Sequence, residues 1–136
     1  MNKEKGAEEP VFPVWRFVLH EHFAKHHHFD FRLEKDNVLK SWAVPKGLPE
    51  IPKDRRLAIE TEDHELTFIN FEGTIPEGEY GAGEVKIADA GMYREIEWSP
   101  DKIEVVLAGQ RFAGTYLFVR LKQAGRGQWL VLKKGA

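Results

Sequence analysis

The sequence predicts an all-β protein, mainly antiparallel, folded as a small closed β-barrel. Short runs rich in Val, Ile, Phe, Tyr and Trp recur along the 136 residues and are separated by Gly, Pro, Asp or Asn. No segment carries an apolar stripe at the helical period over three turns, so we expect at most one or two short helices. About eight or nine short strands in such a chain favour a closed barrel of about eight strands, because closure leaves no strand edge unpaired.

The predicted strands follow one another along nearly the whole chain. They are residues 14–21, 26–35, 38–44, 57–62, 83–88, 91–98, 102–108, 111–121 and 128–133. Asp, Asn and Gly predict tight turns at 35–37, 89–91 and 108–110. Two longer loops, 45–54 and 72–83, interrupt this rhythm, and loops of this kind often carry function.

Composition indicates one domain spanning residues 11–136, preceded by a polar arm, residues 1–10, that we expect to be disordered. Hydrophobic residues make up 42% of the chain, with nine Phe and four Trp, which suffices for a core. The absence of Cys excludes disulfides and thiolate zinc sites. No apolar run approaches the ~18 residues of a membrane span and no signal peptide is evident, so we expect a cytoplasmic monomer without membrane contact.

The net charge of −2 hides an uneven distribution along the chain. Segment 57–110 holds three Lys/Arg against thirteen Asp/Glu, whereas segment 111–136 holds six Lys/Arg and no acidic residue. The total therefore does not indicate a nucleic-acid binder, although the basic segments permit a small polyanion-binding face. Ordinary solvated Lys and Arg explain the charge equally well.

The most informative stretch is residues 26–33, in which polar and apolar side chains alternate. His26, His28, Asp30 and Arg32 share one parity, so in a strand they point to one face. A face with imidazoles, a carboxylate and a guanidinium is typical of a site for a metal ion and an anion. A solvated polar strand is the open alternative.

Candidate metal ligands are His22, Asp30 and His64, drawn from separate strands. Two imidazoles and a carboxylate suit a borderline divalent ion, with positions left open for substrate and water. Arg32 and Arg56 add groups that bind phosphate oxygens bidentately, which favours phosphoryl chemistry. Simple ion pairs of Arg32 with Glu34 and of Arg56 with Asp54 remain the alternative.

Four blocks of the sequence, in order, resemble the 3′-phosphoesterase domain of bacterial non-homologous end-joining DNA ligases of the ligase D type. The blocks are HFAKHHHFDFRL (22–33), KSWAVPKG (40–47), RLAIETEDH (56–64) and FEGTIPEGEYGAGEV (71–85). The resemblance covers nearly everything after residue 16. It implies a β-barrel with its active site in a concavity.

The resemblance also implies an activity, namely metal-dependent hydrolysis at DNA or RNA/DNA 3′ ends. Such enzymes remove a 3′-terminal ribonucleoside and then the remaining 3′-phosphate, leaving a 3′-hydroxyl for repair. Mn²⁺ is the implied metal, with Co²⁺ or Zn²⁺ as substitutes. A DNA ligase and a polymerase acting in trans are the implied partners.

The resemblance assigns roles residue by residue. His22, Asp30 and His64 match metal ligands, and Glu62 matches a supporting catalytic group. The residues matched to phosphate binding are His28, Arg32, Arg56 and, in the WAVPKG loop, Lys46. Of these, His28, Arg32 and Arg56 are also expected to act in catalysis.

One departure from the family pattern concerns the position four residues after His64. The family often has Tyr there, whereas this chain has Phe68, so no hydroxyl is available and one of the two steps is expected to be weaker.

Two further functions stay open as alternatives. One is a non-haem Fe(II) oxygenase-like barrel, since His-x-Asp with a distant His is also its ligand pattern. The other is a non-catalytic barrel that binds nucleic-acid 3′ ends.

Overall fold

A computed structural model describes residues 14–123, 125 and 127–135 of the chain. The predicted disordered arm, residues 1–10, lies outside these residues. The described part contains nine strands: β1 (Val14–Phe23), β2 (His28–Lys35), β3 (Val38–Val44), β4 (Arg55–His64), β5 (Gly73–Ile75), β6 (Gly83–Trp98), β7 (Lys102–Gly109), β8 (Ala113–Arg120) and β9 (Gln128–Lys133). One 3₁₀ helix, Leu66–Asn70, is the only helix in the described residues.

The strands form one antiparallel sheet in the order β1-β2-β3-β4-β9-β8-β7-β6-β5. An additional antiparallel pairing of β1 with β6 closes eight of these strands into a barrel. The short strand β5 pairs with the first residues of β6 and lies outside the ring of eight. The predicted all-β closed barrel is thereby confirmed.

Aromatic side chains fill the barrel interior. Phe31 stacks on Phe118, with ring centroids 5.6 Å apart, and Trp42 packs against both Phe118 and Trp129. Phe17, Leu33, Val105 and Val131 belong to the same buried cluster. Large rings of this kind supply much of the apolar area that a barrel of this size can bury.

The two faces of β2 confirm the predicted alternation. Phe31 and Leu33 are buried in the interior cluster and Phe29 packs against it, so His28, Asp30 and Arg32 stand on the outer face of the wall. The strand begins at His28, because His26 belongs to the bend that links β1 to β2. His26 therefore does not share the strand face with the other three residues, contrary to the prediction.

A second, smaller cluster covers the outer wall. Val18 and Leu39 are buried on that face beneath Ile69 of the 3₁₀ helix, with Phe68 packed beside them. The helix is therefore held by apolar contacts on the outside of the barrel. It forms one rim of the polar surface that continues along β1 and β2.

The predicted turn at 89–91 is wrong, because β6 continues through it as one strand of 16 residues. Asp89 instead accepts hydrogen bonds from the backbone N–H groups of Gln110, Arg111 and Phe112. A side chain on Gly91 would collide with the carbonyl oxygen of Ala108. Asp89 therefore holds a distant loop, and Gly91 allows two strands to approach closely. An Asp followed by a Gly is also typical of a turn, which is why the sequence predicted one here.

The predicted turn at 108–110 lies slightly later, at residues 110–112, because β7 continues to Gly109. The other predicted turn and the first of the two predicted loops agree with the structure. Asp36 and Asn37 both have positive φ, as the two-residue hairpin between β2 and β3 requires. Residues 45–54 form the expected long loop, whereas β5 interrupts the second loop, 72–83. Among the described residues, no helix is long and apolar enough to cross a bilayer.

Candidate active site

A cavity of about 520 Å³ opens on the outer wall of the barrel. Its floor is formed by β1 to β4, and the loop after β5 covers one side. The lining side chains that carry polar chemistry are His22, Lys25, His28, Asp30, Arg32, Thr61, His64 and Tyr80. The site is therefore mounted on the barrel and separated from the interior core by the wall itself.

The strand register brings the polar groups together. His22 of β1 lies directly opposite His28 of β2, and His20 lies opposite Asp30. On the other side of β2, Ser41 of β3 lies opposite Arg32. Directly opposed side chains in an antiparallel pair have Cβ atoms about 5 Å apart, so these pairs contact one another.

His22, His28 and Asp30 form a compact group of possible metal ligands. One ligand atom from each residue lies within 4.8 Å of the other two. His22 Nδ1 is 3.3 Å from Asp30 Oδ2, and His28 Nε2 is 3.3 Å from Asp30 Oδ1. This spacing allows all three atoms to ligate one ion.

The other nitrogen of each imidazole is held by a backbone carbonyl. His22 Nε2 lies 2.8 Å from the Gly81 carbonyl oxygen, and His28 Nδ1 lies 2.8 Å from that of His26. Because a carbonyl oxygen only accepts, these nitrogens carry hydrogens, and the opposite nitrogens face Asp30 and are the atoms that a metal ion could use. Metal-ligating histidines are oriented in this way.

The protonation of Asp30 and His28 suits this arrangement. Burial works against ionisation of Asp30, but the hydrogen bond from His28 and the charge of Arg32 bring the pKa of its carboxyl below the usual value. The same hydrogen bond, which His28 Nε2 donates to the Asp30 carboxylate, raises the pKa of His28. Asp30 is therefore ionised at neutral pH, and a cation bound at this group would compete with the proton on His28.

Arg32 is buried in the wall and links the three possible metal ligands to His64. Its Nη1 donates to Ser41 Oγ at 2.8 Å and lies 3.1 Å from His64 Nδ1, while its Nη2 is 3.6 Å from Asp30 Oδ2. Burial lowers the pKa of the guanidinium, which nonetheless stays charged at neutral pH. The site thus holds a fixed positive charge beside its carboxylate.

A β-bulge brings His64 to the cavity. Thr61 pairs with Ser41 and His64 pairs with Leu39, so two residues of β4 stand against one of β3. His64 Nδ1 is 3.1 Å from both Arg32 Nη1 and the Glu62 carbonyl oxygen. Burial, and then the charge of Arg32, lower the pKa of His64. When the neutral ring accepts from Arg32, its Nε2 carries the proton.

The structure brings together five of the predicted site residues and leaves three apart. His22, His28, Asp30, Arg32 and His64 line the cavity, but His64 is not part of the group formed by His22, His28 and Asp30.

The side chains of Lys46, Arg56 and Glu62 do not line the cavity. Arg56 of β4 lies opposite Val131 of β9 in the sheet, and its side-chain Nη2 is 3.5 Å from Asp54 Oδ2. Lys46 is exposed in the 45–54 loop. Glu62 contacts the site only through its carbonyl oxygen.

Sequence analysis missed His20, which is fully buried behind Arg32. Its Nδ1 accepts from Arg32 Nε at 3.1 Å, and its Nε2 donates to the Phe71 carbonyl oxygen at 3.0 Å. Burial, reinforced by the charge of Arg32, lowers the pKa of His20 to about 4. The available signal was parity, because His20 shares a strand face with His22.

Phe68, at the position where the resemblance led us to expect Tyr, packs against the same group of side chains. The Arg32 guanidinium lies 4.9 Å from its ring centroid, and the His64 ring lies at the same distance. Phe68 also stacks on Phe71. Its ring therefore supports the positions of Arg32 and His64, although it carries no hydroxyl.

The fold and the cavity define a small β-barrel protein whose outer wall places three possible metal ligands next to a buried arginine. A family model described as the DNA ligase D 3′-phosphoesterase domain matches residues 20–120. The chain belongs to this family, which confirms the resemblance found in the sequence.

Similar proteins carry the same domain within much longer chains. The multifunctional non-homologous end joining protein LigD of Mycobacterium bovis is 50% identical over 108 residues, which are 76% of this chain and 14% of that protein. The LigD protein of Mycolicibacterium smegmatis is 43% identical over 118 residues, or 79% of this chain and 16% of that protein. The LigD protein of Pseudomonas aeruginosa is 40% identical over 124 residues, or 87% of this chain and 15% of that protein.

Proposed function

We propose that this protein is a divalent-metal-dependent 3′-phosphoesterase that prepares nucleic-acid 3′ ends for end joining. The observation that carries the proposal is the group of His22, His28 and Asp30, with both imidazoles oriented by backbone carbonyls, next to the buried Arg32. Membership of the ligase D 3′-phosphoesterase domain family supports it and disfavours an oxygenase. We infer that the substrates are DNA or RNA/DNA 3′ ends.

The cellular context is inferred from the names of the relatives, which describe non-homologous end joining. This chain spans only 14–16% of those proteins, so their full activities are not carried over. We infer that a DNA ligase and a polymerase are the enzymes that use the repaired end.

We propose His22, His28 and Asp30 as the metal ligands, with His64 on the phosphate side. The sequence had predicted the opposite roles for two of these residues, with His64 as a metal ligand and His28 as a phosphate-binding group. The donor set of two imidazole nitrogens and a carboxylate fits Mn²⁺, Co²⁺ or Zn²⁺, of which we propose Mn²⁺. Such an ion supplies positive charge that polarises a phosphoryl oxygen and acidifies water at the site.

Arg32 and His64 would bind the phosphate. Hydrogen bonds to His20, Ser41 and His64 hold Arg32 Nε and Nη1, which leaves Nη2 beside Asp30 to donate to a phosphate oxygen. His64 Nε2–H can donate to a second oxygen or give its proton to the leaving oxygen. Both groups stabilise negative charge that grows as the phosphorus is attacked.

The reaction proceeds in two balanced steps. In the first, a water oxygen bonds to phosphorus, the bond to the 5′ oxygen of the terminal ribonucleoside breaks, and that oxygen takes a proton. In the second, water attacks the remaining 3′-phosphate and the bond to the 3′ oxygen breaks. Inorganic phosphate and a 3′-hydroxyl end remain.

A matched pair of variants tests the ligand assignment. His28→Ala should weaken Mn²⁺ binding by about tenfold or more, because one of three ligands is lost, whereas His64→Ala should leave it nearly unchanged. Mn²⁺ affinity is measured by the loss of the free-ion EPR signal on titration. Normal binding by His28→Ala together with loss in His64→Ala would restore the set predicted from the sequence.

The same variants test the activity. A labelled primer-template ending in one ribonucleotide is incubated with the protein and Mn²⁺, with EDTA as control. Wild type should yield a 3′-phosphate and then a 3′-hydroxyl product, and both His28→Ala and His64→Ala should lose at least about 100-fold in rate. Turnover in EDTA equal to that in Mn²⁺ would contradict metal dependence.

A further inference from the structure

The cavity has a second wall that the proposed chemistry does not use. Beside His22, with which Val85 pairs, it is lined by Ile75, Ala82 and Val85, together with Tyr80. None of these side chains supplies a ligand to a metal ion or a charge to a phosphate. The wall is therefore suited to an apolar, uncharged part of a substrate.

The size of the cavity agrees with a second occupant. One water molecule accounts for about 30 Å³ of liquid, and pockets for small organic ligands typically measure about 300–1,000 Å³. The volume of about 520 Å³ therefore exceeds what an ion, a phosphate group and an attacking water would fill. Room remains for a group of nucleoside size.

Tyr80 is an aromatic side chain placed at the mouth of this cavity. It is 74% exposed, the highest value among the exposed large hydrophobic residues of the described chain. Its side chain also borders a neighbouring surface groove that runs past Thr61 towards Arg120. An exposed ring between a cavity and a groove offers a flat face to an incoming group.

The loop that carries Tyr80 is fixed to the proposed metal site. The next residue, Gly81, accepts the hydrogen bond from His22 Nε2 through its carbonyl oxygen. Gly78 and Gly81 both have positive φ, which lets the chain turn tightly around Tyr80. Tyr80 is thus held one residue away from the group that orients a ligand.

We propose that Tyr80 and the apolar wall of Ile75, Ala82 and Val85 form the subsite for the terminal ribonucleoside, whose base stacks on Tyr80. This inference rests on the proposed function. The ribonucleoside is joined to the scissile phosphate through its 5′ oxygen, so it must lie beside the phosphate-binding groups. Every base has a π-face, so stacking holds all four nucleosides without reading their sequence.

The subsite serves only one of the two steps. In the diester step the ribonucleoside is the leaving group and occupies the subsite until its 5′ oxygen has left phosphorus and taken a proton. A 3′-phosphate has no such group. Tyr80 therefore contributes to ribonucleoside release and not to phosphate hydrolysis.

The test compares two primers under single-turnover conditions with Mn²⁺, one ending in a ribonucleotide and the other in a 3′-phosphate. Tyr80→Ala should slow ribonucleoside release by about fivefold or more and leave 3′-phosphate hydrolysis within about twofold of wild type. Tyr80→Phe keeps the ring and should resemble wild type in both steps. Met92→Ala, another exposed apolar side chain outside the cavity, is the matched control.

A third primer isolates the base. Its terminal nucleotide is an abasic ribose, which offers the same leaving oxygen without a stacking partner. Wild type should release it more slowly than a ribonucleoside by the same factor that Tyr80→Ala shows, and Tyr80→Ala should cause no further loss. Additional loss on the abasic primer would overturn the stacking role.

The remaining outcomes separate the subsite from the proposed function. Equal losses in both steps, no loss at all, or a Tyr80→Phe variant as slow as Tyr80→Ala would each overturn the subsite alone. A wild type that hydrolyses the 3′-phosphate but never releases the ribonucleoside would overturn the subsite and the first proposed step, and would leave the second. Absence of wild-type turnover on every primer would overturn the proposed function, and the subsite with it.

Discussion

At the scale of single residues, His20 shows how a buried side chain controls the site without lining it. It accepts from Arg32 Nε and donates to the Phe71 carbonyl oxygen, so it fixes the rotation of the guanidinium. If Arg32 binds phosphate as proposed, its position and therefore the turnover rate depend on His20.

This dependence is tested by replacing His20 with Leu and with Asn. His20→Leu removes the acceptor and leaves a buried Arg32 N–H unpaired, which costs about 1–3 kcal/mol, so the rate should fall about tenfold or more. His20→Asn keeps an oxygen near the position of Nδ1 and should recover most of the rate. Mn²⁺ binding is measured alongside and should stay unchanged in both variants; full activity of His20→Leu would refute the role.

The assignment of individual histidines shows what the sequence could and could not predict. Parity alone placed His28, Asp30 and Arg32 on one face, because a strand has a period of two. The contact of His22 with His28 depends on the length of the 24–27 bend, and the position of His64 depends on a bulge in β4. A single strand pattern contains neither of these, so the phosphate-side role proposed for His64 emerged only from the structure.

At the scale of elements, the loop between β7 and β8 is clamped by one carboxylate of β6. Asp89 is buried, and its two oxygens accept from three consecutive backbone N–H groups, those of residues 110, 111 and 112, at 2.8–3.1 Å. From the sequence, the Asp-Ala-Gly segment was predicted to be a turn. The three partners of Asp89 lie more than 20 residues away, so the local sequence pattern does not indicate them.

Removing this clamp should destabilise the fold and spare the site. Asp89→Ala leaves buried backbone donors unpaired, so the free energy of unfolding should fall by about 3 kcal/mol. Asp101→Ala, which removes an exposed carboxylate, should change it by no more than about 0.5 kcal/mol. Urea unfolding measures both. An Asp89→Ala protein as stable as wild type would show that water replaces the carboxylate at no cost.

At the scale of the whole molecule, stability should depend on pH through the buried His20. Its pKa is about 4 in the folded protein and near the ordinary value of 6.5 in the unfolded chain, because burial and Arg32 oppose its charge. Between these values only the unfolded chain binds the proton. The contribution of neutral His20 is therefore fully present above pH 6.5 and is lost as the pH falls towards 4.

The pH dependence is checked against a variant that cannot titrate at this position. Acidification from pH 7 to pH 5 should lower the free energy of unfolding of wild type by about 2 kcal/mol more than that of His20→Asn. Urea unfolding in EDTA at both pH values gives the difference. Asp30 and His64 lie near His20 and titrate in both proteins, so their contributions cancel to first order. Equal losses in the two proteins would mean that His20 accepts a proton in place.

The alternation along β2 also disfavours a folded barrel in which β2 has slipped by one residue and the site is not formed. A slip of β2 by one residue would push Asp30 and Arg32 into the aromatic interior and expel Phe31 and Leu33 into water. In such a state two charges are buried at a large cost in free energy and the apolar contacts of the core are lost, so the native pairing is strongly favoured. The register that buries the core therefore also places the polar groups of the site, so a molecule that completes the barrel has both.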